Sequence, residues 1–288
     1  MSLDFLSQYI QEINDGLTAI MADIKEKDQS QTCIAEGMEY ALMAGGKRLR
    51  PVFCLMGAEL AGLNRNQVLP FALGLEFLHT YSLVHDDLPA MDDDALRRGK
   101  PTCHIKFGEG EAVLIGDALM THGMGLLLTP LQGISPSKQL RAAAYVVEAI
   151  GLFGMIGGQA ADLLAEQGKK VDSEGLRFIH HHKTGKLLEA SLSSGALLGE
   201  REEEKGKQLK DFGEKFGLAF QITDDLLDLM STREELGKPI GSDEKNNKLT
   251  YPALYGIDES RKMAYQVIQE CLGISEELGR IGKNMASL

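Results

Sequence analysis

Apolar residues return every three or four positions along almost the whole chain. In FLSQYIQEINDGLTAIMADI they fall at Leu6, Ile10, Ile13, Leu17, Ile20 and Ile24, the spacing of one face of a helix. QTCIAEGMEYALMAGG keeps that period and stops at Gly45-Gly46, a helix C-terminal signal. VFCLMGAELAGL and VLPFALGLEFLHTYSLVHDDL are apolar nearly all round, the mark of buried helices; the second is also a candidate for contact with another copy. Further helical runs are AVLIGDALMTHGMGLLL, KQLRAAAYVVEAIGLFGMIGGQAADLL, EGLRFIHHHKTGKLLEASLSSGALLG and KQLKDFGEKFGLAFQITDDLLDLM. No run alternates apolar and polar residues long enough to make a strand. The links GLNRNQ, LQGISPSK and GEREEEKGK are short, and the charge run Glu200–Lys207 reads as a solvated loop or helix start. With no Pro/Ser-rich linker and no solenoid repeat, the pattern predicts an all-α fold. It is a single large helical bundle of roughly ten helices over residues 1–288.

Charge narrows the chemistry. A net charge of -12 argues against a broad nucleic-acid surface, which would be basic. Any anionic substrate must then be held by local cations or metal ions against the overall field. Cys33, Cys54, Cys103 and Cys271 have no paired spacing and read as buried thiols in a reducing compartment. MSLDFLSQYIQEIND carries early acids and no long apolar run, unlike a signal peptide. No stretch reaches the length of uninterrupted apolar residues that a membrane span needs. The expectation is a cytoplasmic protein without membrane insertion. Nucleotide-cradling signatures of the G-x-G-x-x-G or Gly-Lys-Ser/Thr kind are absent from the sequence.

Two acidic clusters stand out. HDDLPAMDDDALRRG (His85–Gly99) sets five aspartates before Arg97 and Arg98, and DDLLD supplies Asp224, Asp225 and Asp228. Asp224 and Asp228, four apart, share a helix face. Crowded carboxylates repel one another, and a hard divalent cation relieves the repulsion; Mg²⁺ fits best, because it takes carboxylate and phosphate oxygens. A solvated acidic turn is the plain alternative for Asp92–Asp94. It suits DDLLD less well, since Ile222, Leu226, Leu227, Leu229 and Met230 surround those acids. Pro89 disfavours helix before it, so Leu88–Met91 should bulge and bring Asp92 round towards Asp86.

These motifs resemble those of the trans-polyprenyl diphosphate synthases. Asp86, Asp87 and Asp92 are similar to that family's first aspartate motif in its longer bacterial form, and Asp224, Asp225 and Asp228 to its second. The likeness continues through GGKRLRP, LHTYSLVHDDLPAMDDDALRRGKPT, GQAADL, KTGKL, FQITDDLLD and GKPIGSDEKNNKLTYP, in the family's order over nearly the whole chain. Within the family it resembles most the bacterial members that make a fifteen-carbon product.

The resemblance implies a bundle around a deep central cavity, with the two motifs facing each other and holding three Mg²⁺ ions on the diphosphate of an allylic substrate. It implies that Arg97, Lys183 and Lys238 complete that clamp. Lys47, Arg50, His79 and Arg98 would form a metal-free pocket for isopentenyl diphosphate; bidentate arginines and mobile lysines suit phosphate. Thr184 and Gln221 would turn oxygens to the allylic carbocation, and released pyrophosphate would take the proton. Tyr81 and Ser82, about 6 to 7.5 Å along the helix before Asp86, would face the growing chain. An aromatic at Tyr81 implies farnesyl diphosphate as product, with geranylgeranyl diphosphate as the alternative. The family is usually homodimeric. Its members usually continue into a basic tail that closes over the site, whereas the sequence here stops at NMASL, which puts that closure in question.

Other classes fit less well. A metal phosphohydrolase of the His-Asp kind leaves DDLLD and GGKRLRP unexplained, and a terpene cyclase has no use for Lys47, Arg50 and Arg98. A non-catalytic subunit would have lost an acidic motif. His180, His181 and His182 are adjacent, so they point three ways on a helix and cannot together hold one zinc ion.

Overall fold

The structure, a computed structural model, describes residues 4–29, 32–168, 171–200, 202–230 and 249–288. Within them run α1 (Asp4–Lys27), α2 (Ile34–Leu42), α3 (Leu49–Leu60), α4 (Arg65–Asp86), a two-residue hairpin β1 (Leu96–Arg97) and β2 (Lys100–Pro101), and α5 (Cys103–Phe107). Then come α6 (Glu109–Leu128), α7 (Pro136–Ile150), α8 (Met155–Glu166), α9 (Ser173–His180), a π-helical turn (His181–Gly185) and α10 (Lys186–Leu197). The chain ends with α11 (Glu202–Met230), α12 (Tyr251–Tyr255), α13 (Ile257–Glu277) and α14 (Gly279–Met285).

The fold is all-α, as the periodicity predicts, but more finely divided. The run KQLRAAAYVVEAIGLFGMIGGQAADLL breaks into α7 and α8 at Gly151–Gly154, where the backbone turns extended (Gly151 ψ -161°, Gly154 φ -137°). A Cβ on Gly154 would meet the Ala149 carbonyl oxygen at 1.9 Å. The hairpin escaped the pattern because two residues per strand carry no alternation.

α4 is the axis. It starts at a reciprocal cap, in which Asn64 and Gln67 satisfy each other's backbone amides. Phe71, Leu75, Phe77 and Leu78 on it are wholly buried beneath α3 and α6, with α1, α2 and α10 also against it. Truncating one such phenylalanine costs about 3 to 5 kcal/mol. Being interior to its own chain, α4 does not offer the surface for a second copy that its composition suggests. Exposed apolar residues include Val113, Leu114 and Leu128 on α6, Leu140 and Val147 on α7, and Leu152-Phe153 between α7 and α8, with others on α8, α9, α11 and α13. By composition α6 and the stretch Pro136–Glu166 are long and apolar enough to span a bilayer, although the latter is broken between α7 and α8. The principal core runs from α1 to α14, and a smaller one (Leu176, Ile222, Leu226, Tyr251, Ala264) backs the end of α11.

Candidate active site

The first acidic motif sits where α4 stops. Asp86 is its last residue and Asp87 its C-cap. Beyond Pro89 the chain doubles back: the Met91 amide donates to the Leu88 carbonyl (2.8 Å) and the Asp92 amide to the Asp86 carbonyl (2.9 Å). The turn therefore brings Asp92 beside Asp86. Asp87 is buried, and Arg97 holds its carboxylate with Nε at 2.8 and 2.9 Å and Nη2 at 2.7 Å. Burial pulls the Arg97 guanidinium down, and Asp87 more than reverses this, leaving it above its ordinary pKa.

The hairpin explains how adjacent arginines reach different places. Its strands pair Leu96 with Pro101 and Arg97 with Lys100, so Arg98 (φ 53°) and Gly99 (φ 74°) form the whole turn. Positive φ at both central positions matches the twist of a tight hairpin. Glycine adopts it freely, whereas an arginine there is strained. The turn sends Arg97 back to Asp87 and Arg98 to the Gly45 carbonyl in the loop after α2. At Gly46, a Cβ would lie 2.7 Å from the Arg98 guanidinium.

Arg98 thereby joins a cationic group around His79. Burial first, and then the charges of Arg50, Arg98, Arg97 and Arg48, hold the His79 imidazole well below its usual pKa. It is neutral at pH 7, and its buried Nδ1 has no hydrogen-bond partner among the described residues. Burial pushes Arg50 down to about 10, and its Nε is likewise buried without a partner among those residues. The orphaned Arg50 donor suits an arriving phosphate oxygen, and His79 Nδ1 can donate to one in the tautomer that carries its proton there. Lys47, placed by resemblance in the same pocket, reaches instead towards α11, its Nζ 5.3 Å from the Phe220 ring centre. There it joins Asp224 on the wall of a cavity of about 290 Å³.

The second motif occupies the end of α11. Asp224 is exposed, while Asp225 and Asp228 are buried. Asp225 accepts from Gln221 Nε2 and from the Tyr251 amide, both at 2.9 Å. Gln221 Oε1 in turn accepts from the Thr184 hydroxyl at 3.0 Å. Thr184 and Lys183 lie in the π-turn, a widened helical turn of a kind frequent at functional sites. Lys183 Nζ pairs with Asp162 at 2.7 Å and stands 4.0 Å from Asp86. Neighbouring residues of one turn thus approach both acidic motifs, Lys183 facing Asp86 directly and Thr184 reaching Asp225 through Gln221. Glycines on two helices make room: a Cβ on Gly158 would be 2.2 Å from the Lys183 amide nitrogen, and one on Gly217 2.8 Å from Gly185 Cα.

Tyr81 is buried, meets His85 edge-to-face at 5.9 Å, and has no hydrogen-bond partner for its hydroxyl among the described residues. Ser82 turns its hydroxyl onto the His79 carbonyl (2.8 Å). The histidine run splits as its spacing requires. His180 is buried against Tyr251 and 3.9 Å from Asp225, while His182 stacks on Phe178. Lys238 lies outside the described residues. Sequence reasoning did not single out Asp162, Arg48 or Glu76. GQAADL signalled the first only as part of a longer likeness, and a cation inside a cationic run gives no sign that it faces inward.

Asp86 and Asp87 sit at the C-terminus of α4 and Asp228 in the last turn of α11, where the backbone dipole already presents negative charge. Aspartates there run against the dipole, so the arrangement favours a bound cation. The donor set is all oxygen, which fits Mg²⁺. No three acidic, histidine or cysteine side chains among the described residues yet stand together as an ion would need. Arg97 draws Asp87 aside, and Lys183 is the nearby charge for Asp86.

A family model described as polyprenyl synthetase matches residues 31–285. The chain is 46% identical over 239 residues to the geranylgeranyl diphosphate synthase of Cyanophora paradoxa, covering 83% of this chain and 80% of that protein. It is 42% identical over 265 residues to the farnesyl diphosphate synthase of Geobacillus stearothermophilus, covering 91% and 89%. The geranyltransferase of Helicobacter pylori, solved in complex with magnesium and isoprenyl diphosphate, superposes with a TM-score of 0.85 at 32% identity, over 100% of this chain and 97% of that one.

Proposed function

This chain belongs to the polyprenyl synthetase family, and on that footing we propose that it condenses isopentenyl diphosphate with dimethylallyl and geranyl diphosphate to make farnesyl diphosphate. The observation that carries the reading is the parting of Arg97 and Arg98. One serves an acidic site that calls for divalent cations; the other serves a cationic site built on neutral His79 and Arg50. Joining two diphosphates needs two anion sites of this unlike kind, side by side.

In this reading Asp86, Asp87, Asp92, Asp224, Asp225 and Asp228 hold Mg²⁺, three ions by the family's pattern. Once bound, Mg²⁺ would neutralise charge developing on the departing pyrophosphate. Arg97, Lys183 and Lys238 add fixed cations to the same leaving group. Cleavage of the allylic C–O bond leaves a carbocation. The Thr184 hydroxyl, steadied by Gln221, and the Gln221 amide oxygen present dipoles to it. The double bond of isopentenyl diphosphate attacks, and pyrophosphate accepts the proton then lost.

Tyr81 is the proposed floor for the growing chain. Its ring lies against His85, which is fixed by the Val113 carbonyl of α6 at 3.0 Å, so it cannot swing aside cheaply. Geranylgeranyl diphosphate is the second reading, favoured by the Cyanophora relative. We also propose a cytoplasmic homodimer. The unpaired cysteines support a reducing compartment, and the exposed apolar residues of α6 and α7 support the pairing surface.

The test is incubation with Mg²⁺, labelled isopentenyl diphosphate and each allylic diphosphate, followed by chromatography of the dephosphorylated products. Fifteen-carbon alcohol is expected from the wild type, and twenty carbons or more from Tyr81→Ala. A wild type that makes mainly twenty-carbon alcohol would transfer the case to the second reading. Release of phosphate or cyclised hydrocarbon without chain growth would end both.

A further inference from the structure

The middle arginine of Lys47-Arg48-Leu49-Arg50 turns inward. Arg48 is 5% exposed and holds a left-handed backbone (φ 53°) as the N-cap of α3. Its Nη1 pairs with Glu76 at 2.7 Å, its Nη2 donates to the Leu42 carbonyl at 2.8 Å, and its Nε to Asn14 Oδ1 at 3.0 Å. One guanidinium thus ties the GGKRLRP loop to α1, α2 and α4 at once. A left-handed arginine stays in place only when its surroundings hold it, and these three bonds do so between Lys47 and Arg50.

Glu76 is the other half. Its side chain is 3% exposed, and it lies three residues before His79, on the same face of α4. Its charge also reaches beyond Arg48. Burial lowers both Arg50 and Arg98, and in each the Glu76 carboxylate is the largest influence pushing back. The arginines gathered round His79 repel one another, and a buried carboxylate behind them offsets that repulsion while no anion is bound.

The geometry points to Arg48 and Glu76 as positioning residues for the cationic pocket: the pair fixes the backbone between Lys47 and Arg50 and supplies the countercharge that keeps Arg50 and Arg98 gathered at His79 before a diphosphate arrives. The inference rests on reading that pocket as the isopentenyl diphosphate site. Cations already in place spare the incoming anion the ordering of loop and side chains. Neither residue touches the substrate, so the effect belongs to binding of one substrate.

Steady-state kinetics with each substrate varied in turn, alongside thermal melts, tests this. Glu76→Gln should raise KM for isopentenyl diphosphate about tenfold, and leave kcat and KM for the allylic substrate within about twofold. The double variant Arg48→Met, Glu76→Leu removes both charges together, which often restores the stability that a broken buried pair loses. Its melting temperature should return towards wild type while KM for isopentenyl diphosphate stays high. If that KM recovers along with the melting temperature, or Glu76→Gln weakens both substrates alike, the pair is structural and the inference fails. Arg98→Ala separates this from the premise. If that variant leaves KM for isopentenyl diphosphate unchanged, the pocket has been misread. If it raises KM and Glu76→Gln does not, only the positioning role falls.

Discussion

Arg97 and Arg98 differ in what their loss leaves behind. Arg97→Ala removes the guanidinium that pairs with the buried Asp87 carboxylate. Removing one partner of a buried charge pair costs about 3 to 5 kcal/mol, so this variant should melt earlier and lose use of the allylic diphosphate. Arg98→Ala breaks no such pair among the described residues. It should melt near wild type and show mainly a raised KM for isopentenyl diphosphate; equal damage to both substrates by each variant would remove the case for two pockets. His79 gives a pH signature. Its folded pKa lies below the unfolded value, chiefly because of burial, so the folded state binds fewer protons. The stability it contributes is complete above the unfolded value, about 6.5, and is lost as pH falls below it. The slope from this one group approaches about 1.4 kcal/mol per pH unit. Urea unfolding across pH 5 to 8 should show His79→Gln with a shallower acid loss than wild type.

At the scale of elements, the π-turn decides where Lys183 and Thr184 point, and its neighbours leave it no slack. Gly158→Ala would press a methyl onto the Lys183 backbone, which no rotamer change relieves. Overpacking of this kind costs about 1 to 3 kcal/mol, and a shift of about 1 Å at Lys183 should lower kcat by about a hundredfold. An unchanged kcat would mean that the turn is not what aligns those residues. The helices themselves were legible in the sequence because each must bury one face, and that need writes a period. The bulge after Pro89 was legible for the same kind of reason, a missing amide and a clash. The π-turn was not: HHKTG reads as ordinary helix, and the glycines packed against it, Gly158 and Gly217, come from other helices. Nor was the inward turn of Arg48, since its partners Asn14, Leu42 and Glu76 come from three other helices.

On the scale of the whole molecule, Asp86 and Asp87 end α4, and Asp224, Asp225 and Asp228 lie in the last two turns of α11, in a chain that carries -12 overall. The folded state without cations is therefore electrostatically loaded. Mg²⁺ with pyrophosphate should raise the melting temperature, by mass action on the folded form, and excess chelator should abolish turnover. Asp86→Ala or Asp224→Ala should each lower the rate by several orders of magnitude, since roughly 1.4 kcal/mol is tenfold and metal sites contribute several. Full activity in chelator would overturn the metal reading. A melt that Mg²⁺ and pyrophosphate leave unmoved would place the ions elsewhere.

The left-handed arginine at the hairpin turn sets stability against activity. Glycine at position 98 would relax the backbone strain by about 1 kcal/mol, so Arg98→Gly should fold at least as well as the natural chain while binding isopentenyl diphosphate poorly. Selection for heat resistance alone would drift towards that residue and discard the enzyme's purpose. An arginine at φ 53° is the residue that selection for turnover, working against selection for robustness, would favour. A library randomised at position 98 and sorted once for thermal survival and once for product should return different winners.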